Sequence, residues 1–295
     1  MYSLKKIRVF KLISLLTAMV LFVLLLVSCS GNAASGKDKP DEEERPDVTA
    51  PQDEEEDTDT EQQQDEGSDI PEQDEGSDIP GAPASASESY TAYIQAKGDL
   101  ITKLTDALAN NPGTEFTSMS LLGVSMVDLA MLPASSFGLG EAAAITALGF
   151  LGAEDIEYSE SGNQYSVKYR GQDGLNYELH GEYDKAADAL KCTSFADGKE
   201  SLTSEYRKTS FGYVSQIYVI DDDGSTYVYQ LAVSGPDGVV GMSQVSEPPK
   251  ALTGNESIDF PKQCKEWYAI EGDAVTGVTS DGEEISFTYT PSEDE

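Results

Sequence analysis

The chain holds a single histidine, His180, so any Ser-His-Asp or Cys-His arrangement would have to be built on it. It falls in the alternating run Tyr177, Glu178, Leu179, His180, where an ordinary strand position is the simpler reading. One histidine and two widely separated cysteines, Cys192 and Cys264, cannot close a tetrahedral metal site, so no metal centre is expected. Those cysteines are 72 residues apart. In an oxidising compartment they permit a disulfide adding about 4 kcal/mol on the chain-entropy argument, and strand register decides whether they meet. Asp221-Asp222-Asp223-Gly224 offers carboxylates to calcium, but it lacks the EF-hand spacing and terminal Glu and reads as a hairpin turn. Gly138-Leu139-Gly140 follows no strand and fails as a dinucleotide fingerprint, so no cofactor is expected. Carboxylates are too numerous for any acid–base pair to stand out. The expectation is a protein that is not an enzyme.

The remaining chemistry is apolar. Between Thr117 and Ala153 the only charged residues are Asp128 and Glu141, although a quarter of the chain is charged. Met119 to Leu132 reads as a helix that is apolar nearly all round, and Glu141 to about Leu151 as a second helix of small and apolar residues. Such helices must be buried or must face something apolar. Flexible thioethers suit adaptable pockets, which makes Leu122, Met126 and Leu129 the candidate ligand-binding residues. A solid core beneath a sheet and a transmembrane hairpin are the competing readings, and each arm of such a hairpin falls short of the roughly 20 residues needed to span.

The elements that position these residues follow from periodicity. Tyr90, Tyr93, Ile94, Ile101, Leu104 and Leu108 share one face of a helix that Asn110-Asn111-Pro112-Gly113 stops. From Asp155 the period changes to two, as in Tyr165, Val167, Tyr169 and again in Tyr227, Tyr229, Leu231. Turn signals fall at Gly162-Asn163, Asp173-Gly174, Asp197-Gly198, Asp223-Gly224, Asp237-Gly238 and Asp281-Gly282. The expected class is α+β, with N-terminal apolar helices packed on a long antiparallel meander of eight to ten strands, a curved sheet or half-barrel.

Charge is partitioned unevenly. Residues 1–28 hold four bases and no acids, residues 29–89 three bases against 21 acids, and residues 90–295 12 bases against 33 acids. So acidic a chain, net −35 with no basic stripe, excludes nucleic-acid binding. Residues 1–28 carry Lys5, Lys6, Arg8 and Lys11 and then an uncharged run from Leu12 to Val27, as in a secretory signal. The closing Leu26-Val27-Ser28-Cys29 resembles the lipobox of bacterial lipoproteins. That resemblance implies diacylglycerol on the Cys29 thiol, cleavage just before it, and a cell-membrane anchor on the extracytoplasmic face, to which two acyl chains give a stable hold. Residues 29–89 are expected to be a disordered acidic tether, because they have almost no apolar area to offset chain entropy. Within it Gln64 to Pro71 recurs as Gln73 to Pro80. As a neutral coil, sixty residues would span roughly 40 Å. A single domain over 90–291 and an acidic tail over 292–295 complete the expected organisation.

Helices followed by a long meander in an exported lipoprotein resemble the carriers of the Lol and LppX type, whose half-open sheet is closed by helices over an apolar cavity. The resemblance rests on element order over about residues 90–290 and carries over no binding residue. It implies an anchored, non-enzymatic lipoprotein holding an apolar or lipid-like ligand between helices and sheet. The alternative is a cell-envelope interaction module that presents its sheet to a protein or wall polymer.

Overall fold

The first helix among the described residues begins with a cap rather than with an apolar residue. Ser85 is extended, and its hydroxyl accepts the Glu88 N–H at 3.2 Å, so α1 runs Ala86–Ala109, starting before the apolar periodicity does. The sequence places residues 86–89 in the tether, yet Ser87 and Ser89 are buried. Their small side chains allow close approach: Ser87 donates to the Phe137 carbonyl through its N–H and to the Ser135 carbonyl through its hydroxyl, at 3.1 and 2.6 Å. The computed structural model describes residues 83, 85–114 and 117–291. The expected signal peptide, Cys29, the tether up to residue 82 and the tail 292–295 lie outside the described residues.

Helix α2 spans Ser118–Met131 and tightens into a 3-10 turn at Leu132–Ser136, where Pro133 has no N–H to continue the α-helical ladder. Helix α3 spans Glu141–Phe150, after Gly138 and Gly140 take the left-handed backbone at φ +79° and +85°. By length and composition Ser118–Ser136 is apolar enough to cross a membrane, and about a third of it is buried within this fold.

Strands follow without interruption by a helix of the α type. They are β1 Glu154–Ser161, β2 Gln164–Arg170, β3 Asn176–Asp184, β4 Ala189–Ala196, β5 Lys199–Lys208, β6 Tyr213–Ile220, β7 Thr226–Ser234, β8 Asp237–Gln244, β9 Glu266–Glu271, β10 Ala274–Val278 and β11 Glu284–Thr288. Each pairs antiparallel with the next, giving an open eleven-stranded meander. Strand β1, Glu154 to Ser161, begins where the period of two is expected to begin, and its charges suit an edge that must refuse further pairing. The β7–β8 turn sits at Gly235-Pro236, one step before the Asp237-Gly238 signal, which opens β8 instead.

Alternation sorts the sheet into two faces. On one, Val167, Leu179, Leu202, Ile217, Leu231, Val240, Tyr268 and Val275 join Tyr90, Leu104, Leu121 and Val124 of the helices in a single buried cluster. Phe137 lies against Gly181, where a Cβ would overlap its ring, and stacks on Tyr165 at 5.0 Å. On the other face the β8–β9 connection, residues 245–265, brings Leu252 over Val214 and Ala232 as a second, small apolar cluster. There the buried Glu205 carboxylate accepts from the Leu252 N–H at 3.1 Å and from Gln216 Nε2 at 3.2 Å.

Candidate functional site

The residues singled out by sequence are not brought together. Leu122 and Met126 are exposed, at 46% and 41%, and Leu129 is half-buried. The buried edge of α2 is Leu121, Val124, Val127 and Met131, so the three candidates point away from the sheet rather than into a cavity beneath the helix. Cys192 and Cys264 are both free and buried. Cys192 belongs to the helix-covered face of β4, whereas Cys264 donates to Gln230 Oε1 at 3.3 Å on the opposite face of β7. Three strand spacings alone separate β4 from β7 by about 14 Å, beyond the reach of a disulfide. Burial pushes both thiols up, Cys264 against a smaller lowering by its contact with Ser243.

His180 is a half-exposed strand residue whose Nε2 lies 3.1 Å from Glu178, edge-on to the Phe195 ring. Asp221 to Gly224 form the β6–β7 turn: the Asp221 N–H donates to the Ser225 carbonyl and the Gly224 N–H to the Asp221 carbonyl, each at 2.9 Å. Among the described residues no group of three or more metal-ligating side chains converges.

Two polar arrangements were invisible in the sequence. The first fastens α1 to the sheet. Ser89 Oγ donates to Asp188 Oδ1 at 2.5 Å and lies 2.7 Å from the Tyr206 hydroxyl, and Tyr183 donates to the same carboxylate oxygen at 3.4 Å. Tyr93 stacks on Tyr206 at 4.3 Å and donates to Ser215 Oγ at 2.8 Å. Burial, helped by the Asp188 charge, pushes the Tyr183 phenol up to about 12. These groups are spent on one another within the core.

The second is a groove of about 280 Å³ where the N-terminal end of α2 meets β7, β8 and the start of β9. Period-two alternation puts Tyr227 and Tyr229 on the helix-covered face of β7 together with Leu231. Register then sets Gln244 beside Tyr227, Met242 beside Tyr229, and Glu266 beside Met242. One row deeper, Leu231, Val240 and Tyr268 are fully under the helices. The groove therefore opens where the helical cover ends. Ser120 forms one wall and Ser280, from the β10–β11 turn, another. Gly123 makes room for the floor, because a Cβ there would stand 2.8 Å from the Tyr229 hydroxyl.

It carries one acid and one base, Glu266 and Lys265. Tyr268 donates to Glu266 Oε1 at 2.7 Å, leaving the carboxylate fixed at the groove floor. Burial first, then the charges of Asp221 and the neighbourhood of Tyr227 and Glu266, raise the Tyr229 phenol above its ordinary value. Tyr229 thus stays a neutral hydroxyl, able to donate or accept. Met242, two tyrosine rings, the Glu266 carboxylate and Lys265 line one groove of mixed apolar and polar character. The tyrosine alternation was legible in sequence, but Met242 and Glu266 join it only through strand register. Compared with protein-family models, curated proteins and solved structures, the chain matches none.

Proposed function

We propose that this chain is a membrane-anchored extracytoplasmic lipoprotein, non-enzymatic, that holds a small apolar or amphipathic ligand at the seam between α2 and the sheet. The anchor rests on the basic N-terminus, the apolar run and Cys29 at the end of Leu26-Val27-Ser28-Cys29. The groove lined by Tyr229, Met242 and Glu266 supports the ligand reading. At about 280 Å³ it falls at the small end of ligand sites, which suits one ring system or a short acyl segment and not a whole diacyl lipid. We read the meander as a half-barrel curved round α1, with the helices as its cover in the manner of the Lol and LppX carriers. The non-enzymatic reading rests on the roles the polar groups already have, since Ser89, Asp188 and Tyr206 are bonded to one another and Glu205 holds the 245–265 connection.

The test uses a neutral fluorescent amphiphile of matching size, N-phenyl-1-naphthylamine. The expected result is saturable enhancement with one site per chain, abolished by Ser120→Trp, which fills the groove from the helix surface, and retained in Phe150→Ser. Enhancement indifferent to Ser120→Trp overturns the site. The envelope-module reading draws on the outer face of β2–β4, where Lys168 and His180 both meet Glu178 at 3.1 Å in solvent. A partner protein or wall polymer captured there would be lost on Glu178→Lys with fluorophore binding intact.

A further inference from the structure

Exposed large apolar side chains are concentrated on one part of the molecule. Met119, Leu122, Met126, Leu139, Ile145 and Phe150 all lie on α2, α3 or the turn between them, with Phe150 71% exposed. On α2 the stripe Met119, Leu122, Met126 and half-buried Leu129 repeats at three and four residues, as a helix does when one side meets an apolar medium. Core packing does not use this stripe, because Leu121, Val124, Val127 and Met131 already fill the inner edge. Nor is it diluted by charge: Asp128 is turned to Lys97, 2.5 Å away, which leaves Glu141 at the start of α3 as the other ionisable group between residues 117 and 153. A domain carrying 33 acids against 12 bases has kept the exposed sides of these two helices neutral and apolar.

The chain enters the domain beside that surface. Ser85 caps α1, and a Cβ at Gly138 would stand 3.7 Å from its side chain, so residue 85 adjoins Leu139 and the approach to α3. Upstream of Ser85 the sequence leads back in 56 residues to Cys29. We propose that the outer face of α2 and α3 lies on the lipid bilayer, with Met119, Leu122, Met126, Leu139, Ile145 and Phe150 entering the boundary between headgroups and acyl chains. The proposal rests on the membrane-anchored reading, and the tether makes the contact intramolecular in effect, so a shallow apolar face suffices where a free protein would need more. The acidic remainder of the domain faces water, and the contact suits zwitterionic rather than anionic lipid.

The chain has one native tryptophan, Trp267, whose neighbour Tyr268 points into the helix-covered core, so Trp267 faces the other side of the sheet. It serves as an internal control. The lipidated full chain, wild type and Phe150→Trp, is reconstituted into vesicles of phosphatidylcholine brominated on its acyl chains. Emission from the introduced tryptophan is expected to shift to the blue and to be largely quenched, with the wild-type emission unchanged, and Met119→Trp is expected to repeat the result. Solvent-like, unquenched emission from both variants in co-floating protein overturns the proposal, as does concentration-dependent self-association that replaces quenching and assigns the face to a second copy. A chain that does not co-float overturns the anchor instead. Quenching at excess lipid then still reports on the face, and its absence there overturns the docking.

Discussion

Lys97 reaches from α1 to α2 and donates to Asp128 Oδ1 at 2.5 Å and to the Val124 carbonyl at 3.0 Å, with its side chain only 2% exposed. Burial raises the Asp128 carboxyl above its ordinary value, and the charge and hydrogen bond of Lys97 oppose that rise without cancelling it. Asp128→Asn leaves a buried ammonium without its counter-charge and is expected to destabilise by about 3 kcal/mol, read from urea unfolding. Lys97→Met with Asp128→Leu removes both charges and is expected to restore most of the loss. Asp128→Asn that costs nothing would show that the helices are held by apolar contact alone.

Adjacent leucines separate the two sides of α2. Leu121 is fully buried and Leu122 is 46% exposed. Leu121→Ala is expected to cost about 2–5 kcal/mol, as for other large-to-small core changes. Leu122→Ala stays within about 0.5 kcal/mol, as surface changes do. Equal losses in thermal or urea unfolding would mean that the helix is turned differently.

The same pair shows where sequence stops being informative. In a helix apolar nearly all round, Leu121, Val124, Val127, Met131 and Met119, Leu122, Met126, Leu129 are equally regular stripes, so periodicity gives the helix but not its phase. The sheet was more legible, because Tyr165, Val167 and Tyr169 alternate with Ser166 and Lys168, although in Tyr227, Tyr229, Leu231 the intervening Val228 and Gln230 are themselves buried. The start of the strands near Asp155 was legible too, and β1 opens there. The groove was the least legible feature: its floor depends on the register of β8 against β9, which residues 245–265 set from the far face of the sheet.

Cys192 and Cys264 are expected to remain thiols in the folded protein, since they lie on opposite faces of the sheet. Burial raises both, so neither presents a thiolate to solvent. Ellman's reagent should leave both untouched under native conditions and titrate both after guanidinium is added, with no change in thermal midpoint on reduction. An intramolecular cross-link found by peptide mapping of unreduced protein would contradict this arrangement.

Asp237 ties three separate parts of the chain together and makes that junction sensitive to acid. Its Oδ1 accepts from Lys103 of α1 at 2.7 Å, its Oδ2 accepts the Gly272 N–H at 3.0 Å, and Lys103 also donates to the Gly272 carbonyl at 2.8 Å. Burial acts to raise the carboxyl, but the Lys103 hydrogen bond, the Gly272 N–H and the Lys103 charge together outweigh it and hold it below its ordinary value. A depressed carboxylate contributes stability that is fully present above its unfolded value of about 3.8 and is lost as pH falls through the folded one. Both partners are partly exposed, 22% for Lys103 and 31% for Asp237, so water screens the pair and the contribution is about 1 kcal/mol. Asp237→Asn keeps the shape, loses that amount at pH 7, and is expected to converge with wild type as pH falls through the lowered value of the native carboxyl. Unfolding curves collected from pH 7 to pH 2 test this. A gap between mutant and wild type that stays constant across the range would assign Asp237 a purely steric role and leave the charge of Lys103 without part in closing α1 onto the β7–β8 and β9–β10 turns.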